Sequence, residues 1–306
     1  MNKKLSIDWR KPTKKSEKAI TTGRKVSSDF DASAYVEGYV RYLRGIGLKE
    51  NTVKLYRVLI RGYLEEVCCD KPTPDEATDF CMSLAQKELS KSARNNYAAA
   101  ITKYQEMIRD PVKLPFLKTN NKLPYFFEES DIQKIFNACS NFKHLCMLKV
   151  LFYGCLRSGE LCNLDVQDYD SRNLTLRLNE TKNGSDGIAC INKETASLLD
   201  SYLERRPALT IKNRDPLFYT DYGNRWTPGH IHRMFLYYKE AAGVTGRGAV
   251  HCFSRHSPAT LMVERGCELR SIQSILRHRD INTTLRYAHL SDKVKRQKYD
   301  QYLQLS

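Results

Sequence analysis

Four short segments carry residues whose types and spacing could do chemistry. Tyr153-Gly154-Cys155-Leu156-Arg157-Ser158-Gly159-Glu160-Leu161 ends an apolar stretch, sets an arginine at a turn and places a glutamate three residues later. Lys182 stands just before Asn183-Gly184. His251-Cys252-Phe253-Ser254-Arg255-His256 follows, and Ile275 to Tyr287 contributes His278 and Tyr287. Guanidinium groups suit an anionic centre, because they present paired, charge-assisted donors and stay protonated at any working pH. A tyrosine, with an ordinary pKa of about 10, becomes a covalent nucleophile when a base or nearby positive charge helps remove its proton. Lysine and histidine can move the protons such a displacement requires. The sequence has no P-loop, HExxH or GxGxxG motif and no close carboxylate cluster. Any chemistry is therefore expected to use side chains alone, with no cofactor and no metal.

Singly, each residue has a plainer explanation. Tyr287 is one of 18 tyrosines, Arg157 fits an ordinary helix-end ion pair, and Lys182 fits an ordinary turn lysine. A lone His278 reads as a satisfied polar group near a core. The joint order carries the weight: Arg and Glu, turn Lys, Arg, His, then Tyr.

The elements that must position this set can be read from period and punctuation. From about Asp31 to Asp110 the chain reads as four helices. Val36, Tyr39, Val40 and Leu43 recur at helical spacing until Gly45 and Gly47; Tyr56, Leu59, Ile60, Tyr63 and Leu64 form the second stripe. The third follows Pro72-Thr73-Pro74 and buries Phe80, Cys81 and Leu84. Ser90 or Ser92 caps the fourth, which turns Ile101, Tyr104, Met107 and Ile108 inward. Its other side carries Lys91, Arg94, Asn95, Asn96 and Lys103, a solvated face by default and a candidate DNA-facing surface. Prolines at 111, 115 and 124 make 111–123 an expected extended linker. A second, mostly helical domain is expected over 124–306. Within it Leu174, Leu176 and Leu178 alternate with polar residues, a turn spans Asn183 to Gly187, and Ile188 to Ile191 returns as a β-hairpin. Helices are expected over Lys193–Leu203, His230–Ala242, Arg255–Arg265 and Leu269–Leu276.

Composition bounds the partner. The 306 residues carry 50 Lys and Arg against 35 Asp and Glu, a net charge of +15, which favours encounter with polyanions and makes nucleic acid the leading partner. Residues 1–30 hold nine Lys or Arg and three acidic residues without a structural period, as a solvated basic tail would. The ten cysteines are scattered with no CxxC pair, and read as reduced thiols rather than a disulfide framework or zinc site. No apolar stretch suits a signal peptide, and His144–Leu156 is too short to span a bilayer. A soluble, cytoplasmic protein acting at DNA, with no membrane partner, is the expectation.

In these four segments the sequence resembles the tyrosine recombinase family, the phage integrases and Xer-type enzymes. The resemblance covers about 31–300 and is specific in the second domain. Arg157 and Glu160 match a GLRxxEL box, Lys182 matches a hairpin lysine, and Arg255 to Thr260 matches HxLRHxxAT from its arginine onward. His278 to Tyr287 keeps the family's nine-residue spacing. The resemblance implies a mainly α fold with a small β-sheet: a four-helix, SAM-like core-binding domain and an α+β catalytic domain. It implies a site-specific recombinase cutting double-stranded DNA through a 3′-phosphotyrosyl link at Tyr287. Arg157 and Arg255 would hold the phosphate, Lys182 would protonate the leaving 5′ oxygen, and His278 would bond the scissile phosphate. Glu160 would orient the site or form a structural ion pair. A homotetramer on two duplexes, with possible accessory proteins, is the expected assembly. The tail 291–306, with Tyr299, Tyr302 and Leu303, is expected to be a helix docked on a neighbour or on its own domain.

Two positions depart from the pattern. Three residues before Arg255 stands Cys252, where the family has His, and His251 lies one residue earlier. Either His251 assists proton transfer after a small backbone adjustment, or Cys252 fills the place. Arg277 replaces the glycine of LGH, which implies a strained turn or an added phosphate contact. A DNA-binding protein that has lost turnover, and a relaxing enzyme of the type IB topoisomerase kind, are the competing functions.

Overall fold

A computed structural model describes residues 30–119, 124–179, 187–287 and 299–300. The basic tail, Lys182 with most of its turn, and most of the terminal helix expected over 291–306 lie outside the described residues. The chain divides into two compact units, 1–120 and 121–306.

The first unit is built from four helices: α1 (Ser33–Gly45), α2 (Glu50–Val67), α3 (Pro74–Ser83) and α4 (Lys91–Met107). Their stripes meet as the periodicity requires, burying Val36, Tyr39, Leu43, Ile60, Tyr63, Leu64, Ile101 and Tyr104. Helix starts follow capping chemistry. Thr73 and Glu76 form a reciprocal capping box at α3, and the Ser90 hydroxyl accepts from the Ala93 N–H at α4. The first half of the expected linker, without helix or strand, packs on this unit: Leu114 is buried in its core, and Asn95 clasps Leu117 by donating to its carbonyl at 2.9 Å and accepting its N–H at 2.8 Å.

The second unit holds α5 (Glu129–Ala138), α6 (Phe142–Tyr153), α7 (Ser158–Asn163), strands β1 (Tyr169–Asp170), β2 (Thr175–Leu178) and β3 (Gly187–Cys190), then α8 (Lys193–Arg205) and α9 (Pro228–Ala241). It continues with α10 (Ser257–Glu264), α11 (Leu269–Ile275) and α12 (Asn282–Leu285). The α6 helix is central, with Cys146, Met147, Leu148, Val150, Leu151 and Phe152 all buried. The hairpin pairs Thr175 with Cys190 and Leu178 with Gly187, and β1 adds a third antiparallel strand that the sequence did not announce. Two residues are too few for a hydrophobic period to register. The helix expected from Arg255 instead opens with a π-turn over Cys252–His256, in which the Ser257 N–H reaches back to the Cys252 carbonyl. All ten cysteines are free thiols. Among the described residues no helix is long and apolar enough to cross a membrane.

Candidate active site

Two helix ends face one another and form the floor of the site. After α6 the chain closes with a Schellman pattern: the Cys155 N–H donates to Phe152 and the Leu156 N–H to Leu151, with Cys155 left-handed at φ 48°. After α11 the same pattern recurs, with Arg277 donating to Ser274, His278 donating to Gln273, and Arg277 left-handed at φ 54°. Glycine usually takes this position, as Gly266 does after α10 at φ 79°. Here an arginine takes the left-handed cap position, at the place where the LGH pattern has glycine.

The strain at Arg277 is offset by its side chain. The guanidinium donates to the carbonyls of Cys155 at 2.8 Å, Ile275 at 2.9 Å and Gly154 at 3.4 Å, and pairs with Glu160 at 3.3 Å. Its stem lies so close to β3 that a Cβ on Gly187 would meet Arg277 Cδ at 2.8 Å. Of the two expectations for Arg277, the strained turn is observed, and its guanidinium is spent on the protein.

Glu160 closes the first turn of α7. Its carboxylate accepts the Arg157 N–H at 2.9 Å and the Arg157 Nη1 at 2.6 Å. Burial alone would raise this carboxyl, but the bonds from Arg157 and the charges of Arg277 and Arg157 outweigh it and hold the pKa low. Glu160 thus forms a buried ion pair with Arg157 and bonds its backbone N–H as well.

Arg255 is almost wholly enclosed, 1% exposed. It donates to the Cys155 carbonyl at 2.6 Å and the Leu276 carbonyl at 2.5 Å, one from each facing helix end. Burial, with repulsion from Arg157 and Arg277, pushes its pKa down to about 10, so it stays protonated at neutral pH. A guanidinium has five N–H donors, so two carbonyl bonds leave donors for an anion. His278 sits on the same wall, Nδ1 against the Thr284 hydroxyl at 2.8 Å. Burial, then Arg255, Arg157, Arg277 and His251, push it down to about 4, which leaves the imidazole neutral.

Tyr287 is 3% exposed, its ring packed with Cys155, Ala259, Val263, Ile272 and Leu276. That small cluster supports the same two carbonyl-bearing turns that hold Arg255. Burial raises the phenol pKa, while Arg255 and Arg286 pull against it. The partner of its hydroxyl is His256, with Nδ1 at 2.7 Å. His256 was not among the expected site residues; the signal available was that it matches the histidine directly after the arginine in HxLRHxxAT.

The π-turn separates His251 from Cys252. In an α-helix a residue three before Arg255 lies about 60° from it around the axis; in a π-turn of roughly 4.4 residues, the residue four before lies about 33° away on the same side. With that geometry His251 lies on the same face as Arg255. His251 stacks edge-on against His256, ring centroids 4.8 Å apart, and lies near enough to lower the His278 pKa. Cys252, half-buried, packs against the main core and also lies near enough to Tyr287 to raise the phenol pKa.

The site therefore brings Arg157, Arg255, His278, His251 and Tyr287 into one electrostatic neighbourhood, with Arg277 and Glu160 beneath. The four polar residues proposed for DNA contact lie in the first unit. Lys91 reaches the Lys118 carbonyl at 3.4 Å, Lys103 pairs with Glu106 at 2.6 Å, and the Nε of Arg94 is buried without a partner. Asn95 spends its amide on Leu117 and acts as a structural clasp.

Residues 125–294, more than half of the chain, match the profile of the phage integrase family. The chain is 29% identical over 258 residues to the tyrosine recombinase XerA of Saccharolobus solfataricus, covering 80% of this chain and 84% of that one. A crystal structure of XerA recombinase, 28% identical, covers 89% of this chain and 100% of its own with a TM-score of 0.54. The Tn1549 transposon integrase, solved in complex with transposon right end DNA, shares the fold at a TM-score of 0.68 and 20% identity, covering 88% of this chain and 99% of that one.

Proposed function

The chain belongs to the phage integrase family of tyrosine recombinases, and on that premise we propose that it is a site-specific DNA recombinase working through a 3′-phosphotyrosyl link at Tyr287. The observation that carries the reading is the enclosure of Tyr287 beside Arg255, on turns that also present Arg157 and His278. Related proteins named as recombinases, and a DNA-bound integrase of the same fold, support double-stranded DNA as the substrate.

Attack by the phenolic oxygen on a phosphodiester builds negative charge on a phosphorane-like centre. Arg255, already anchored by two carbonyls, and Arg157, held by Glu160, are preorganised for that charge and need little reorganisation when it appears. His278 donates a hydrogen bond to the scissile phosphate. Lys182 gives a proton to the departing 5′ oxygen, and His251 assists proton transfer on the attacking side. The Tyr287 O–P bond conserves the energy of the broken P–O bond. A second 5′ hydroxyl can then displace the tyrosine and rejoin strands with no ATP. A homotetramer on two duplexes completes the exchange.

Denaturing capture of covalent protein–DNA adducts from cells, followed by sequencing of the attached ends, tests this and returns the target site. Adducts that form with the wild type and vanish in Tyr287→Phe are the expected result. Specific DNA binding with no adduct would leave a DNA-binding protein without turnover, and site-independent relaxation of supercoiled plasmid would leave a topoisomerase-like enzyme.

A further inference from the structure

We propose that His256 is a catalytic residue: the general base that takes the Tyr287 proton through Nδ1 and shares it outward with His251. The inference rests on the recombinase reading and deepens it at the nucleophile.

Three observations converge. The Tyr287 hydroxyl lies 2.7 Å from Nδ1 of His256, at hydrogen-bond distance for direct transfer. Tyr287 is 3% exposed, so bulk water has little access to serve as its base. His256 is half-buried and stacks edge-on with His251, which is exposed, so the three groups run from the enclosed phenol to the surface.

The electrostatics explain why the base stays quiet until substrate arrives. The groups facing His256 are His251 on the preceding turn, Arg255 beside it, Arg286 next to the tyrosine, and His278. Burial and these neighbours hold the imidazole down to about 4, so it is neutral, and a neutral ring whose Nδ1 accepts the phenolic hydrogen must carry its own on Nε2. A bound phosphodiester brings negative charge among the same arginines. That offsets their repulsion and raises the proton affinity of His256 when a base is wanted. In the step itself, the phenolic O–H bond breaks and its proton goes to Nδ1. The oxygen lone pair forms the O–P bond, the P–O5′ bond breaks, and the 5′ oxygen takes its proton from Lys182.

Asparagine at 256 can keep an acceptor near the Nδ1 position but cannot take up the proton at neutral pH. On the DNA site recovered from adduct mapping, single-turnover cleavage by His256→Asn is expected to fall about 10²–10⁴-fold while DNA binding is retained. Its loss should ease as pH is raised, and should persist on a duplex with a sulfur-bridged 5′ leaving group, which needs no acid and should restore Lys182→Ala. Cleavage within about threefold of wild type, or rescue by the sulfur leaving group, would overturn the role. Nitrogen-15 NMR of the DNA-free protein supplies a second arm: a bare, acceptor-type Nδ1 at His256 is expected, and a protonated Nδ1 would overturn it. Wild-type protein that forms no adduct removes the recombinase reading and this role together; wild-type adducts with an undiminished His256→Asn remove this role alone.

Discussion

Arg277 and Glu160 meet across the pocket, Nη2 to Oε2 at 3.3 Å, although one caps the end of α11 and the other closes the start of α7. Glu160 thereby holds two arginines at once, since Arg157 binds its other oxygen at 2.6 Å. A single carboxylate sets the spacing of the basic groups from below, and this arrangement leads to the first two predictions.

Arg277→Ala is expected to destabilise the second unit by about 1–3 kcal/mol, because the carbonyls of Gly154 and Cys155 and the Glu160 carboxylate lose a buried donor. The gain from relieving a left-handed arginine, on the order of 1 kcal/mol when glycine replaces it, should make Arg277→Gly less damaging than Arg277→Ala. Urea unfolding of both variants checks the order. Gly187→Ala should be non-additive with Arg277→Ala, since the added methyl collides only with the arginine stem.

Glu160→Gln should lower stability at neutral pH by about 1.5–3 kcal/mol, the usual size for a hydrogen bond to a charged group. Because the folded pKa of Glu160 is depressed, its contribution is present above the unfolded value of about 4.3 and is lost as pH falls through the folded one. Wild type and variant should therefore converge only as the pH falls below the unfolded value and on through the folded one. A difference that stays constant into acid would argue that the carboxylate charge is not what matters.

Acid should loosen this unit earlier than carboxylates alone would. His256 and His278 are both pushed down to about 4, so between that value and about 6.5 the unfolded chain binds protons that the fold excludes. Stability rises with pH across that window and is lost on acidification, by on the order of a few kcal/mol for the pair. Melting temperature measured from pH 7 to pH 4.5 should fall in wild type and fall less in His278→Asn. A flat wild-type profile would refute the neutral, buried state of these rings. Bound DNA, by adding phosphate charge, should raise the proton affinity of the folded imidazoles toward the unfolded value and so make the fall smaller.

His251→Ala is expected to slow cleavage about 10²-fold or more, whereas Cys252→Ala should change it by less than about threefold. The reason is chemical: an imidazole can take up and pass on a proton at neutral pH, whereas the Cys252 thiol, half-buried beside Tyr287, is only a weak donor. Equal losses in the two variants would mean that both side chains reach the pocket.

The helical stripes of the first unit were legible because they are local: a 3.6-residue period reports burial wherever one face packs, as Val36, Tyr39, Val40 and Leu43 do. The cap of the fourth helix was legible as Ser90 or Ser92 for the same reason, since the side chain bonds to a backbone three residues away, as Ser90 does. Asn95 was not. It looked like part of a polar face, and only the fold reveals that Leu117, 22 residues on, consumes its amide.

The sequence by itself determined the order of the reactive set, from Arg157 through Arg255 and His278 to Tyr287, and the helices and hairpin that present it. It could not decide between His251 and Cys252, because one extra residue in a helix changes facing only through the hydrogen-bond pattern the backbone adopts. Tertiary structure alone decided that Arg277 spends itself on Glu160 and two turns, and that the Tyr287 hydroxyl rests on His256. The Tyr287–His256, Arg277–Glu160 and Arg277–Cys155 contacts join residues 31, 117 and 122 positions apart. Their partners are chosen by how α6, α10 and α11 pack, which no local period records.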